Sequence, residues 1–211
     1  LMDFNPALWR GNLDRDLPPA SKIQPVKHQE SMPLEELQEK LNCLYPANTR
    51  TKQAILFTIL TASRVGESVP ARWDEIDWEN RIWSVPPERR KDQKPYPHRV
   101  PLSDQAIELL KSIEKKGDHI FGVSEESLGS RYTLTKLLKR LTGTTATMHG
   151  FRSTFRDWAA ENGVPDIVAE KCLMHTTGNA VVQAYQRSDL LEQRREVMQA
   201  WADAVFAKLT R

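Results

Sequence analysis

Three short stretches carry side chains able to hold an anion and move a proton. In Thr61-Ala62-Ser63-Arg64-Val65-Gly66-Glu67 an apolar helix runs into an arginine, with a glutamate three residues later. A guanidinium leaving a buried helix end needs a partner, and Glu67 can supply one while aiming the fork at an outside anion. Taken alone, the pair reads first as a structural ion pair. In His149-Gly150-Phe151-Arg152, the residues Phe151, Phe155 and Trp158 share one helical face, while His149 and Arg152 share another. Two such groups at a helix N-terminus make an anion site, since backbone donors add to the charge, and histidine exchanges a proton near neutrality. A histidine capping its helix beside a solvated arginine is the competing reading, and the two stand level. The third stretch is Leu173-Met174-His175-Thr176, followed ten residues after His175 by Tyr185 in Ala184-Tyr185-Gln186-Arg187. A lone tyrosine on an amphipathic helix ordinarily packs.

The elements that must position these groups can be read from periodicity. Residues 1–30 hold Pro6, Pro18, Pro19 and Pro25 without an apolar period and read as an extended arm or interdomain linker. Leu34, Leu37, Leu41 and Leu44 then recur at three- and four-residue steps, a helix that Pro46 ends. A second, more apolar helix is expected over Thr51–Thr61. Ile76–Trp78, Arg81–Val85 and Arg99–Leu102 read as strands, with Glu79-Asn80 as the first turn. Ser103 caps a helix carrying Ile107, Leu110 and Ile113. Further helices are expected at 131–141, 149–162, 165–173, 179–187 and 190–209, with Gly163 and Pro165 punctuating two of them. The fold class expected is mainly α with a small antiparallel β-sheet, residues 31–211 forming one domain.

Charge and composition narrow the chemistry. Among the 211 residues, 30 Lys and Arg against 28 Asp and Glu leave a net charge of +2. The distribution is uneven. Residues 131–156 carry Arg131, Lys136, Lys139, Arg140, Arg152 and Arg156 with no acid, and residues 88–99 carry Arg89, Arg90, Lys91, Lys94 and Arg99 against Glu88 and Asp92. Such a face suits a polyanion, although solvated helix faces would read the same way. No apolar run approaches a membrane span, and no signal-peptide pattern opens the chain. Cys43 and Cys172 lie far apart, and the five histidines form no metal-binding cluster. The reading is a cytoplasmic protein with reduced thiols, no metal and no cofactor.

The order of these motifs, an arginine in a TxxRxGE-like turn, HxxR, a second histidine and a tyrosine, resembles the tyrosine recombinase (phage integrase) family. Ala71–Trp78, Val100-Pro101-Leu102-Ser103, His149–Ala159 and Ala184–Leu191 are similar to the branch carried by satellite phages and genomic islands. The likeness runs from about Ser31 to the C-terminus, and implies the integrase catalytic-domain fold. It implies that Tyr185 attacks a DNA phosphate to leave a 3′-phosphotyrosyl bond and a free 5′-hydroxyl. It implies that Arg64 and Arg152 grip the non-bridging oxygens, that His149 moves a proton near the tyrosine, and that His175 donates to a phosphate oxygen. Glu67 would orient the arginines. The general-acid lysine of the family falls in 89–94, where Lys91 is favoured and Lys94 is the alternative. Arg89, Arg90, Lys94, Arg99, Arg131, Lys136, Lys139 and Arg140 are the expected contacts to double-stranded DNA.

The resemblance also implies partners. Integrases of this kind carry an upstream core-binding domain, and this chain reads as starting near the end of one, so weak, salt-dependent DNA binding is expected of it. Other protomers in a synaptic tetramer are expected partners. Leu190, Leu191, Val197, Met198, Trp201, Val205, Phe206 and Leu209 form the apolar face of a C-terminal helix. That face packs on its own domain or docks on a neighbour, and sequence leaves both open. The competing functions are a catalytically silent DNA-binding or assembly module and relaxation of supercoils by the same chemistry, as in type IB topoisomerases.

Overall fold

The computed structural model describes residues 7, 10, 13–18, 30–92, 94–122, 131–175 and 188–209. Of the expected arm, the described part includes one helical turn at Asp14–Asp16. Eight helices and three strands follow among the described residues: α1 Leu34–Leu44, α2 Arg50–Leu60, α3 Val65–Ser68, β1 Ile76–Asp77, β2 Ile82–Val85, β3 His98–Pro101, α4 Asp104–Lys111, α5 Arg131–Thr142, α6 Gly150–Glu161, α7 Asp166–Cys172 and α8 Leu191–Phe206. The mainly helical fold with a small antiparallel sheet is therefore as expected. The helix expected over 179–187 lies outside the described residues.

Local chemistry sets the boundaries. α2 begins one residue before the expected start, because the Thr49 hydroxyl accepts from the Lys52 N–H at 3.3 Å and caps it. Ser103 Oγ accepts from the Ala106 N–H and caps α4. The sheet runs β1-β2-β3, each pair antiparallel. Trp83 lies opposite Ile76 on one side and Val100 on the other, and its indole donates to Glu75. Ile120-Phe121, too short to assign from sequence, is core, next to an isolated bridge between Arg72 and His119.

α8 is the centre of the packing. Met198, Trp201, Ala202 and Val205 are buried, and α8 packs against α1, α2, α4, α6, α7 and β3. The Trp201 indole donates to the Ile59 carbonyl at 2.9 Å, and the Gln38 amide to the Ala204 carbonyl at 2.7 Å. Phe155, Trp158 and Trp201 form an aromatic triangle with centroids 5.4–5.9 Å apart. With Val197, Phe206 and Leu209 packed against the same core, most of the apolar face of this helix is covered by its own domain.

The chain enters the domain across the start of α6. Glu30 O accepts from the Thr147 N–H at 3.0 Å, and Met32 O accepts from the Thr154 hydroxyl at 2.6 Å. A side chain at Gly150 would stand 2.1 Å from the Glu30 carbonyl oxygen. The glycine of His149-Gly150-Phe151-Arg152 is there because another stretch of backbone passes over it.

Candidate active site

Arg64 stands immediately before α3, with extended backbone. Glu67, in the first turn of α3, holds it twice: Oε2 accepts the Arg64 backbone N–H and Oε1 accepts Nη1, both at 2.9 Å. Glu67 is buried and the Arg64 side chain is mostly so. The expected ion pair is present, and its carboxylate also closes a helix N-terminus.

Arg152, expected on a helical face shared with His149, is not the solvated arginine of the competing reading. It is 4% exposed and points inwards. Nη1 donates to the Ala62 carbonyl at 2.7 Å, and Nη2 donates to the Leu173 carbonyl at 2.6 Å and to His175 Nε2 at 2.9 Å. Both carbonyls sit in left-handed turns: Ala62 has φ 48°, and Met174, following Leu173, has φ 53°. Two strained turns thus present oxygens to one guanidinium. Loss of solvent, followed by the charge of Arg64, pulls the Arg152 pKa down to about 10, while Glu67 and Glu170 oppose that shift. Among the described residues no carboxylate forms a salt bridge with Arg152.

Two histidines border this arginine pair. His149 is exposed just before α6 and titrates below its ordinary range, through desolvation and then the charges of Arg152, Arg64, Lys91 and His175. His175 also titrates low, chiefly from desolvation and Arg152, with Glu170 pulling the other way. Glu170 was not anticipated; its Oε2 lies 2.6 Å from His175 Nδ1. No local spacing rule marks a glutamate five residues before a histidine.

Lys91 is exposed in the β2–β3 connection, near enough for its charge to act on His149. The charge of Lys94 acts on Asp92 and Lys171. The other basic residues divide. Arg89 donates to the Pro70 carbonyl and to Glu75. Arg90 is 7% exposed, clasped by Asp92 at 2.7 and 2.8 Å and set 4.9 Å over the Tyr96 ring. These two arginines are turned towards the protein, so the expectation that they face a ligand meets groups already engaged. Arg99 pairs with Asp189 at 2.6 Å. Lys136, Lys139 and Arg140 are exposed on α5, which also carries Arg131. Lys136 and Arg140 line a shallow groove with Thr49, Thr51 and Lys52. Tyr185 lies outside the described residues.

Comparison with known proteins shows the family. The phage integrase family model matches residues 30–192. The prophage integrase IntA of Escherichia coli K12 is 38% identical over 163 residues, covering 74% of this chain and 39% of that protein. The integrase of enterobacteria phage P4 is 30% identical over 228 residues, covering 96% of this chain and 49% of that protein. The chain thus spans half or less of the length of these two relatives. Among solved structures, the integrase of mycobacterium phage Brujita superposes with a TM-score of 0.66 at 18% identity, over 89% of this chain and 66% of that one. Lambda integrase (75-356), a dimer bound to a COC′ core site, gives a TM-score of 0.55 at 16% identity, over 73% of this chain and 60% of that one. No described helix is long and apolar enough to cross a membrane. The chain belongs to the phage integrase family.

Proposed function

We propose that this chain is the catalytic part of a site-specific DNA recombinase, cleaving and rejoining strands through a 3′-phosphotyrosyl intermediate to integrate or excise a mobile element. The observation that carries the reading is Arg152: a desolvated cation beside a second arginine, held by carbonyls and a histidine, with no direct ion pair to a carboxylate among the described residues. A scissile phosphate is the anion such a cluster awaits. The family membership supports the same reading, as do relatives named as integrases.

In the proposed reaction Arg64 and Arg152 neutralise the two non-bridging oxygens, making the phosphorus open to attack. The Tyr185 phenol oxygen forms a bond to phosphorus as the P–O5′ bond breaks. His149, neutral at pH 7 because its pKa is low, accepts the phenol proton. Lys91 protonates the departing 5′-oxygen; its charge acts on His149, which favours it over Lys94. Attack by a new 5′-hydroxyl reverses the steps, so the bond energy is kept and no nucleotide cofactor is required. Residues 31–211 would constitute the catalytic domain, with residues 1–30 an arm or linker. Lys136, Lys139 and Arg140 on α5 are the proposed contacts to duplex DNA, with Lys52 beside them. Protomers are proposed to pair on DNA in a synaptic tetramer. The burial of α8 in its own domain argues that its apolar face is not the exchanged element.

A suicide duplex with a nick beside the cleaved phosphate tests the proposal, because loss of the short fragment traps the covalent adduct. Wild-type protein is expected to form the adduct and Tyr185→Phe to form none. Adduct formed by Tyr185→Phe, or none by wild type on its attachment site, would overturn it. Strand exchange between two sites separates recombination from simple relaxation of supercoils.

A further inference from the structure

His175 does not stand alone against Arg152. Arg152 and Arg156 are one helical turn apart on α6, and between them runs an unbroken chain of polar contacts. Arg152 Nη2 meets His175 Nε2 at 2.9 Å, His175 Nδ1 meets Glu170 Oε2 at 2.6 Å, and Glu170 Oε1 accepts from Arg156 Nε at 3.0 Å. Arg156 Nη2 is held in turn by Asp166 at 2.8 Å, and the His175 backbone N–H donates to the Glu170 carbonyl at 2.9 Å. Each end of the imidazole is therefore addressed by a group of fixed polarity.

That polarity assigns the proton. A guanidinium has hydrogens and no acceptor, so Nε2 facing Arg152 must be the lone-pair nitrogen, and the single proton of neutral His175 sits on Nδ1, donated to Glu170. A neutral His175 so held cannot donate from Nε2. Only when Nε2 gains a proton does it become a donor to an anion, and at that moment it loses its bond to Arg152, freeing an Nη2 hydrogen for the same anion. The carboxylate already on Nδ1 is what makes a second proton tolerable beside two arginines.

We propose that Glu170 is a positioning residue of this site: it fixes His175 as the Nδ1–H tautomer and serves as counter-ion when His175 engages a DNA phosphate as an imidazolium. This rests on the recombinase reading above. The charged and titratable groups facing His175 are Arg152 and Arg64, which oppose its protonation, Glu170, which favours it, and His149, near enough to feel its charge; Arg156, held by Asp166, steadies Glu170. Removing the Glu170 charge lowers the pH at which the imidazolium persists. The alkaline limb of the cleavage profile then moves towards acid, while the acid side is spared.

Two measurements on the full chain test this. Nitrogen-15 NMR of the histidine rings in the DNA-free protein reports the tautomer, and adduct formation on the suicide duplex reports the profile. Wild type should show His175 protonated on Nδ1, and Glu170→Gln, whose Oε1 can still accept from Nδ1 but carries no charge, should keep that tautomer and lose the second ring proton at a lower pH. Its adduct rate should fall about tenfold near pH 8 and stay within about twofold near pH 6, a shift of about one pH unit in the alkaline limb. Glu170→Asp, which keeps the charge, should recover part of the loss. An Nε2–H tautomer in wild type, or a loss in Glu170→Gln that is equal at every pH, would overturn the proposal. If Glu170→Gln fails to fold, the wild-type tautomer decides. If wild type forms no Tyr185-dependent adduct, the recombinase reading falls while the NMR result still decides whether Glu170 holds His175.

Discussion

Two buried arginines in this molecule are held in nearly the same way. Arg152 is bound by two backbone carbonyls and His175; Arg194 on α8, 1% exposed, is bound by the Arg99 carbonyl at 2.7 Å, by His98 Nε2 at 3.2 Å and, more loosely, by the Asp189 carbonyl at 3.5 Å. Each has a pKa lowered first by desolvation. What separates them is the neighbourhood. Around Arg152 stand Arg64 and the exposed His149 and His175, through which an outside anion can approach, with Glu67 and Glu170 offsetting part of the charge. Around Arg194 the space is filled by β3, α7 and α8, with Asp189 close enough to offset its charge. An arginine wrapped in carbonyls is therefore a site or a joint according to what lies beyond it.

The same substitution at both places should separate these roles most strongly. Arg152→Lys keeps the charge and loses the fork, so adduct formation on the suicide duplex is expected to fall by about 100- to 1,000-fold. Arg194→Lys is expected to cost about 2–3 kcal/mol in denaturant unfolding, because a carbonyl and the His98 ring lose their donor in a closed space. Its adduct rate per folded molecule should change by less than about threefold. The reverse pattern would break the comparison.

Next in size is the backbone crossing beside the site. Gly150→Ala pushes a methyl group into the Glu30 carbonyl 2.1 Å away. Backbone cannot step aside as a flexible side chain would, so a loss of about 2–3 kcal/mol is expected in thermal or denaturant unfolding. An unchanged melting curve would mean that residues 30–32 do not hold the start of α6 in solution.

These contacts show why the sequence was legible in some places and opaque in others. Periodicity located α1, α4 and α6, the hydroxyl of Ser103 marked a cap, and Arg64 could be paired with Glu67 because the glutamate follows only three residues after an arginine that leaves a buried helix end. Arg152 could not be placed, because its partners are carbonyls of Ala62 and Leu173, which carry no side-chain signature and are far away along the chain. Left-handed turns at Ala62 and Met174 lack the glycine that would have announced them. Glu170, Arg194 and the strap over Gly150 are equally non-local. The even run of positive charge over 131–156 also dissolves on folding: Arg152 turns inwards, Arg156 pairs with Asp166 and Glu170, and α5 keeps the exposed cations Lys136, Lys139 and Arg140.

The histidine partners sharpen the comparison further. His98 titrates well below its ordinary value of 6.5, from desolvation first and then the charges of Arg194, Arg90, Arg64 and Arg152. Its folded pKa is lower than its unfolded one, so below pH 6.5 the unfolded chain binds a proton that the folded chain refuses. Stability is therefore expected to fall as pH drops through this window, by at most about 1.4 kcal/mol per pH unit for this one group. Melting curves of wild type and His98→Gln between about pH 7.5 and 5 check it, and the variant should show the shallower slope. An equal slope would mean that His98 is charged inside the fold.

The smallest effect belongs to the rim of the Arg194 joint. Arg99 and Asp189 make a close pair at 2.6 and 2.9 Å, but both side chains are more than 40% exposed. Water already solvates such charges, and ordering two long side chains offsets much of the attraction. Arg99→Gln should therefore cost no more than about 1 kcal/mol in unfolding, and less at high salt. Arg194 approaches the same strand through the Arg99 carbonyl, which the substitution leaves in place. A cost comparable to that of Arg194→Lys would mean that the joint depends on the exposed pair, and that the closed neighbourhood of Arg194 is not what sets it apart from Arg152.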